Sequence, residues 1–208
     1  MPSPVDVRRA TRGTTRDRML SAAAQVLREK GAAGVTIDEV LARSGAPRGS
    51  VYHHFPGGRS QLLTEALQFA GDAITGLVDD AAAQGCTALL SHFVAFWERT
   101  LAESDFAAGC PVVAAAIGSA DAEPALTPIA GDIFERWRAA LTRAFVADGF
   151  DEADAGSLAV TSIAALEGAV VLCRSTRTAE PLHEVARQVE FLIKSREFVH
   201  RFGLPSHP

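Results

Sequence analysis

Cysteine is scarce in this chain: the three that occur, Cys86, Cys110 and Cys173, are widely separated and odd in number. That argues against a disulfide framework, and no CxxC-type spacing invites a metal. No apolar run approaches the ~20 residues a bilayer-spanning helix needs. The early arginines lack the apolar segment that would follow them in a secretory leader. Only 22% of residues are charged against 48% hydrophobic, which excludes wholesale disorder. No alternation of period two is long enough to suggest a sheet, and no solenoid-type repeat occurs. There is no Ser-His-Asp order, metal motif or glycine-rich phosphate loop. These absences lead us to expect a cytoplasmic protein with no catalytic residues, cofactor, metal or membrane association.

The net charge of -5 is unevenly distributed. Up to Ser60, ten Arg and Lys face five acids, a net of +5, so the remainder carries -10. A basic head on an acidic body directs one end of the protein toward phosphate.

Helical periodicity dominates what is present. Residues 1–13, with Pro2, Pro4 and several arginines, read as an arm, either a solvated tail or a basic strand for phosphate or the minor groove. From Thr15 to Lys30, Met19, Leu20, Ala23, Ala24, Val26 and Leu27 recur at helical spacing, and Gly31 is placed to stop the helix. Thr36 and Glu39 have the spacing of a capping box for a second helix, in which Ile37, Val40 and Leu41 face inward and which ends at Gly45. Pro47 suits the first turn of a third helix. After a break at Phe55–Gly58, a fourth helix runs through Leu62, Leu63, Ala66, Leu67, Ala70, Ile74 and Leu77. Further stripes follow at Leu89–Leu101, Val112–Gly118 and Ile129–Phe145, then at about 153–174 and 182–199. The expected fold is all-α with about nine helices: an arm over 1–13, a three-helix helix-turn-helix domain over 14–58, and a helical ligand-binding and dimerisation domain over 59–208.

The segment Thr36–Phe55 carries the chemistry. A short capped helix, a glycine turn and a second short helix is the layout of a helix-turn-helix, whose second helix enters the DNA major groove. Gly49 gives close backbone approach. Arg48 and Ser50 can reach base edges or phosphates, and an arginine paired bidentately with guanine is the commonest specific contact. Tyr52 and His53 carry polar tips on rigid bodies suited to phosphate, though Tyr52 also reads as a core residue. Val51 and Phe55, spaced i, i+4, form an apolar back. The helix start near Thr36 offers free N–H groups to a phosphate. Arg59, a cation at the start of the fourth helix, makes sense if it faces a phosphate. The adjacent His53 and His54 point apart on a helix and do not suit a metal.

Val35-Thr36-Ile37-Asp38-Glu39-Val40 followed by Ser44-Gly45-Ala46-Pro47-Arg48-Gly49-Ser50-Val51-Tyr52-His53-His54-Phe55 resembles the signature of TetR-type transcriptional regulators, from about Arg16 to Leu67. The resemblance implies that Thr36, Arg48, Ser50, Tyr52, His53 and Arg59 touch double-stranded operator DNA and that Gly49 permits the approach. The chain departs from the pattern at Pro56-Gly57-Gly58-Arg59-Ser60-Gln61-Leu62, where many members have a shorter link to a Lys-Glu-Glu-Leu start. Gly109-Cys110-Pro111-Val112 and Ala165-Leu166-Glu167-Gly168-Ala169 resemble the LmrA-like branch, which implies a dimeric, ligand-responsive helical body.

In that body, Phe93, Phe96, Trp97, Phe134 and Trp137 place much of the aromatic area on two helices. Core packing is the simpler account; the alternative is that Phe93, Trp97, Phe134 and Trp137 line a pocket for an apolar effector. Glu167, in an apolar stretch, needs a partner such as a core arginine or a cationic ligand. Cys110, between Gly109 and Pro111 at a helix start, is either inert or a reactive thiol. Leu158, Ile163, Leu166, Val170 and Val171 on one helix, with Val185, Val189, Leu192 and Ile193 on the next, offer faces for a homodimer's four-helix bundle. The function expected is a repressor that binds a palindromic operator as a dimer and is released by a small, largely apolar effector. The rival is an all-α small-molecule-binding or Cys110 redox-sensing protein in which DNA binding is lost or secondary.

Overall fold

The computed structural model describes residues 14–118 and 123–203; the arm expected over 1–13 lies outside them. Among the described residues there are nine α-helices: α1 (Thr15–Gly34), α2 (Ile37–Ser44), α3 (Ser50–His54), α4 (Gly58–Ala82), α5 (Cys86–Glu103), α6 (Pro111–Gly118), α7 (Leu126–Ala147), α8 (Glu152–Thr176) and α9 (Glu180–Phe202). The all-α expectation holds. They form two compact units that do not follow chain order. The first holds the described residues up to Ala73 together with Cys110–Ile133, and the second holds Ile74–Gly109 with Phe134 onward. The division drawn from sequence at residue 58 follows the motif; the units follow packing, because α6 lies against α1.

In the first unit α1 opens with a complete capping box. Thr14 accepts the Asp17 N–H, and Asp17 in turn accepts the Thr14 N–H. Met19, Leu20, Ala22, Ala23, Val26 and Leu27 are buried. Gly31 breaks the helix as its position in the sequence predicts, with φ 71°, a left-handed conformation that favours glycine. The turn beyond it is held from outside. Arg59 donates through Nε to the Val35 carbonyl (2.7 Å) and through Nη2 to the Ala32 carbonyl (2.6 Å), and its Nη1 pairs with Glu123. Ser60 Oγ donates to the same Glu123 carboxylate (3.1 Å). One guanidinium thereby serves two carbonyls at the end of α1, that of Val35 and that of Ala32, which also accepts the Val35 N–H at 3.2 Å.

Two local expectations need correction. Thr36 caps α2 by accepting the Glu39 N–H (3.2 Å), but the reciprocal half of the expected box is not made. The Glu39 carboxylate accepts from Lys30 (2.9 Å) and Arg43 (2.8 Å) instead, which hold it below the usual carboxylate range. Pro47 is not in the first turn of α3, because that helix begins later, at Ser50. The Ser50 N–H and hydroxyl both donate to the Pro47 carbonyl, at 2.9 and 2.6 Å.

In the second unit α8 packs on α9, and α5 packs on both. Its core gathers Cys86, Leu141, Ala144, Phe145, Phe150, Ala155, Leu158 and Ala159. A neighbouring cluster holds Leu90, Leu166, Ala186 and Val189. The α5 start is capped from a distance: Asp148 accepts the Cys86 N–H at 2.9 Å. Burial, and next the same carboxylate, push the Cys86 thiol up, so it is an inert core group.

By length and composition α8 could cross a bilayer, with a mean hydropathy of 1.8 over its most apolar stretch; the sequence reading found no such run. Its packed side carries Leu158, Ser162, Leu166, Glu167, Val170 and Cys173. The apolar faces read from sequence as available for dimerisation are largely occupied within the chain: Leu158, Leu166, Val170 and Val189 are buried. Of the expected residues Val171 is exposed, and with it Val160 and Leu172 on α8 and Phe191, Phe198, Val199 and Phe202 on α9.

Two outcomes follow for stability. Replacing Arg59 with Ala should lower the chemical-denaturation midpoint by the equivalent of about 1–3 kcal/mol, since a charged donor to two carbonyls is lost. Arg59→Lys should recover little of it, because an ammonium lacks the fork. Asp148→Ala should cost about 1 kcal/mol in the same measurement, the usual loss for a helix cap.

Candidate nucleic-acid interface

A five-residue helix is far below the ~12–15 residues at which an isolated helix becomes marginally stable. The shape of α3 is therefore set by what lies behind it. Val51 and Phe55 are fully buried, as their i, i+4 spacing predicts. The Arg16 guanidinium of α1 sits over the Phe55 ring, 5.3 Å from its centroid, and also pairs with Glu65 of α4. This cation–π contact fixes the back of α3 against two other helices. At the preceding turn, Gly45 adopts φ 63° and its N–H donates to the Leu41 carbonyl at 3.0 Å, closing α2. Arg18 of α1 adds a bond to the Ser44 carbonyl (3.1 Å).

The front of α3 is open. Tyr52 is 64% exposed, which removes the core reading of that residue. His53 is exposed and His54 half-buried, with their rings in edge contact at 5.0 Å. Arg48 is exposed on the turn ahead of α3 and donates through Nη2 to Asp38 Oδ1 of α2 at 2.5 Å. Gly49 has an ordinary helical φ of -69°, and a Cβ added there would meet nothing within 4 Å. Neither backbone strain nor internal crowding accounts for the glycine.

Thr36, Arg48, Gly49, Ser50, Tyr52 and His53 thus lie on α2, on α3 and on the turn between them. Thr36 is exposed and Ser50 half-buried. The Ser50 hydroxyl already serves the Pro47 carbonyl. Arg59 is differently placed: its guanidinium is bound to Ala32, Val35 and Glu123, and its role in the described structure is the clamp described above. The start of α2, read from sequence as open to phosphate, carries Asp38 and Glu39 in its first turn, which already complement the helix dipole. Sequence reasoning missed three contributors: Arg16 behind Phe55, Glu123 beside Arg59, and Asp38 beside Arg48. Only long-range packing pairs them, and no local spacing announces it.

The six residues considered for an effector are divided between the two units. Cys110 is in the first unit, 5% exposed, near Arg28, whose guanidinium burial pushes below its ordinary value. The rest are in the second unit. Trp97 is buried against Phe93 (centroids 6.1 Å) and Phe96 (5.3 Å). Trp137 packs edge-on to Phe134 (5.3 Å), and its indole N–H donates to Thr75 Oγ1 (2.9 Å). Glu167 is buried. A small apolar cavity in this unit is lined by other side chains, among them Cys86, Leu89, Leu141, Phe145, Leu166 and Ile193. Among the described residues no group of three or more His, Cys, Asp and Glu is placed to hold a metal ion.

Comparison with known proteins agrees with this geometry. Residues 19–66 match the bacterial regulatory proteins of the tetR family. Residues 86–188 match the C-terminal domain of LmrA/YxaF-like transcriptional regulators. The HTH-type transcriptional regulator Rv0196 of Mycobacterium tuberculosis is 39% identical over 183 residues, covering 86% of this chain and 93% of its own. The HTH-type transcriptional regulator LmrA of Bacillus subtilis is 27% identical, over 88% of this chain and 98% of its own. The crystal structure of the regulatory protein TetR from Rhodobacter sphaeroides superimposes with a TM-score of 0.77 at 23% identity, over 85% of this chain and 97% of that one, a likeness of fold. With a helix-turn-helix whose polar front is open and whose apolar back is locked, this chain belongs to the TetR family of bacterial transcriptional regulators.

Proposed function

We propose that the chain is a ligand-responsive repressor of the LmrA-like branch, binding a near-palindromic operator as a homodimer. The observation that carries the reading is the two-sidedness of α3: Val51 and Phe55 fully buried, Tyr52, His53 and the flanking Arg48 exposed, and an unexplained glycine among them. An external backbone approaching at residue 49 accounts for that glycine. Thr36, Arg48, Ser50, Tyr52 and His53 make the DNA contacts. Arg59 acts behind them by holding the α1–α2 turn.

The exposed apolar residues of α8 and α9 support the dimer. Phe191, Phe198 and Phe202 are 68%, 59% and 67% exposed, and Leu172 is 51% exposed. The Phe198 and Phe202 rings lie tilted against each other with centroids 4.9 Å apart. Aromatic area of this size is covered when two α8–α9 pairs meet about a two-fold. The two recognition helices then fall about one DNA turn apart, ~34–36 Å. The effector is a small, largely apolar molecule taken up by the helical body, with Phe93, Trp97, Phe134, Trp137 and Glu167 as the side chains to test. For release, the effector must bind the DNA-incompetent state more tightly. Coupling of ~1–3 kcal/mol corresponds to roughly 5–150-fold loss of operator affinity.

Electrophoretic mobility shift with the DNA upstream of the protein's own gene should give saturable binding that weakens steeply with salt. Absence of any shift at low salt rules the reading out. Arg48→Ala should weaken binding by ~1–3 kcal/mol. Phe191→Asp should convert the dimer to monomer in analytical ultracentrifugation and abolish tight binding to the full palindrome while leaving the helix-turn-helix folded.

A further inference from the structure

Asp38 and Arg48 are ten residues apart, on α2 and on the turn before α3, yet the fold closes them to 2.5 Å, Arg48 Nη2 on Asp38 Oδ1. Both side chains are largely exposed, at 81% and 76%. An ion pair this open to water contributes little to stability. Nor does α2 depend on Asp38. Thr36 supplies its cap, and Glu39 supplies a second acid in the first turn, held by Lys30 and Arg43. What the contact changes is the arginine. Left alone, Arg48 would sweep many rotamers from a turn; tied to Asp38, its planar fork is confined near the front of α3.

The bond engages one hydrogen of Nη2. The other Nη2 hydrogen and those on Nη1 remain for a bidentate contact with the O6 and N7 acceptors of a guanine. The carboxylate also makes the pair selective about what it approaches. A phosphate brought to Arg48 would meet the Asp38 charge, whereas the major-groove edge offers Asp38 the amino donor of a cytosine or adenine.

We propose that Asp38 is a positioning residue for sequence discrimination: it holds Arg48 for a guanine edge and disfavours its use on the DNA backbone. The inference rests on the operator-binding reading above and adds to it the residue that directs Arg48 to a base.

The test uses the full chain and duplexes that it selects from a randomised pool, with affinities measured for the selected duplex and for its single-base variants. Wild type should lose roughly 5–150-fold on replacing one guanine in one half-site. Asp38→Asn, nearly isosteric and uncharged, should cut that discrimination roughly 2–5-fold at the same position, with little change at the others and no change in melting temperature. In an Arg48→Ala background, Asp38→Asn should leave discrimination as it is. Discrimination unchanged by Asp38→Asn overturns the proposal, including the case in which the variant binds every duplex uniformly more tightly, since Asp38 is then only a repulsive charge. An equal loss in the Arg48→Ala background overturns it as well, because Asp38 would act without the arginine. Enrichment of no sequence by wild type overturns the operator reading itself, and this proposal with it.

Discussion

The burial of Val51 and Phe55 is the contact on which the rest of the head depends. A five-residue helix cannot hold itself in water, because its few internal bonds do not offset the cost of nucleation. Its conformation is lent by α1 and α4, through the core beneath and through Arg16, which covers the Phe55 ring and pairs with Glu65. Orienting the polar residues of α3 is therefore a matter of packing. The groups offered to solvent stay simple: an exposed tyrosine, a histidine, and an arginine tied to one carboxylate.

A second constraint acts one layer back. At Gly31 the backbone leaves helical geometry, and Arg59 reaches back to the two carbonyls that follow, that of Val35 and that of Ala32, which also accepts the Val35 N–H. The same arginine contacts Glu123, ahead of α7. The turn leading into α2 is consequently gripped by a side chain from α4 and, through it, by a residue more than sixty positions downstream. An arginine suits this post because its planar fork can serve three acceptors in different directions at once.

Much of this was legible in the sequence, in particular places and for stated reasons. The periodicity of α1, the stop at Gly31, the Thr36 cap and the apolar back of α3 are local, and each appeared where its residue pattern put it. The second half of the capping box failed because Glu39 found two cations, Lys30 and Arg43, one of them on another helix. Arg59 read as a phosphate ligand because a cation at a helix start is locally unfavourable; its compensation comes from carbonyls and a carboxylate that no window of sequence contains. In the body, periodicity identified apolar faces but not which neighbour covers them. Leu158 is buried in one core cluster and Leu166 with Val189 in another, and the aromatic residues left outside lie on another side of α9. A pocket is a property of several helices at once, so no single stretch of sequence specifies its lining.

The discontinuity of the first unit has a consequence for modularity. A helix-turn-helix is commonly treated as a cassette that can be cut from its chain and joined to another body. Here α6, some forty residues beyond the end of the contiguous part, is packed on α1, and Glu123 completes the grip on Arg59. A graft made at the edge of the motif would carry the recognition surface and leave behind part of what keeps it rigid. In this chain the compact unit is larger than the helix-turn-helix itself, and only a breakpoint that takes α1 and α6 from the same parent preserves their packing.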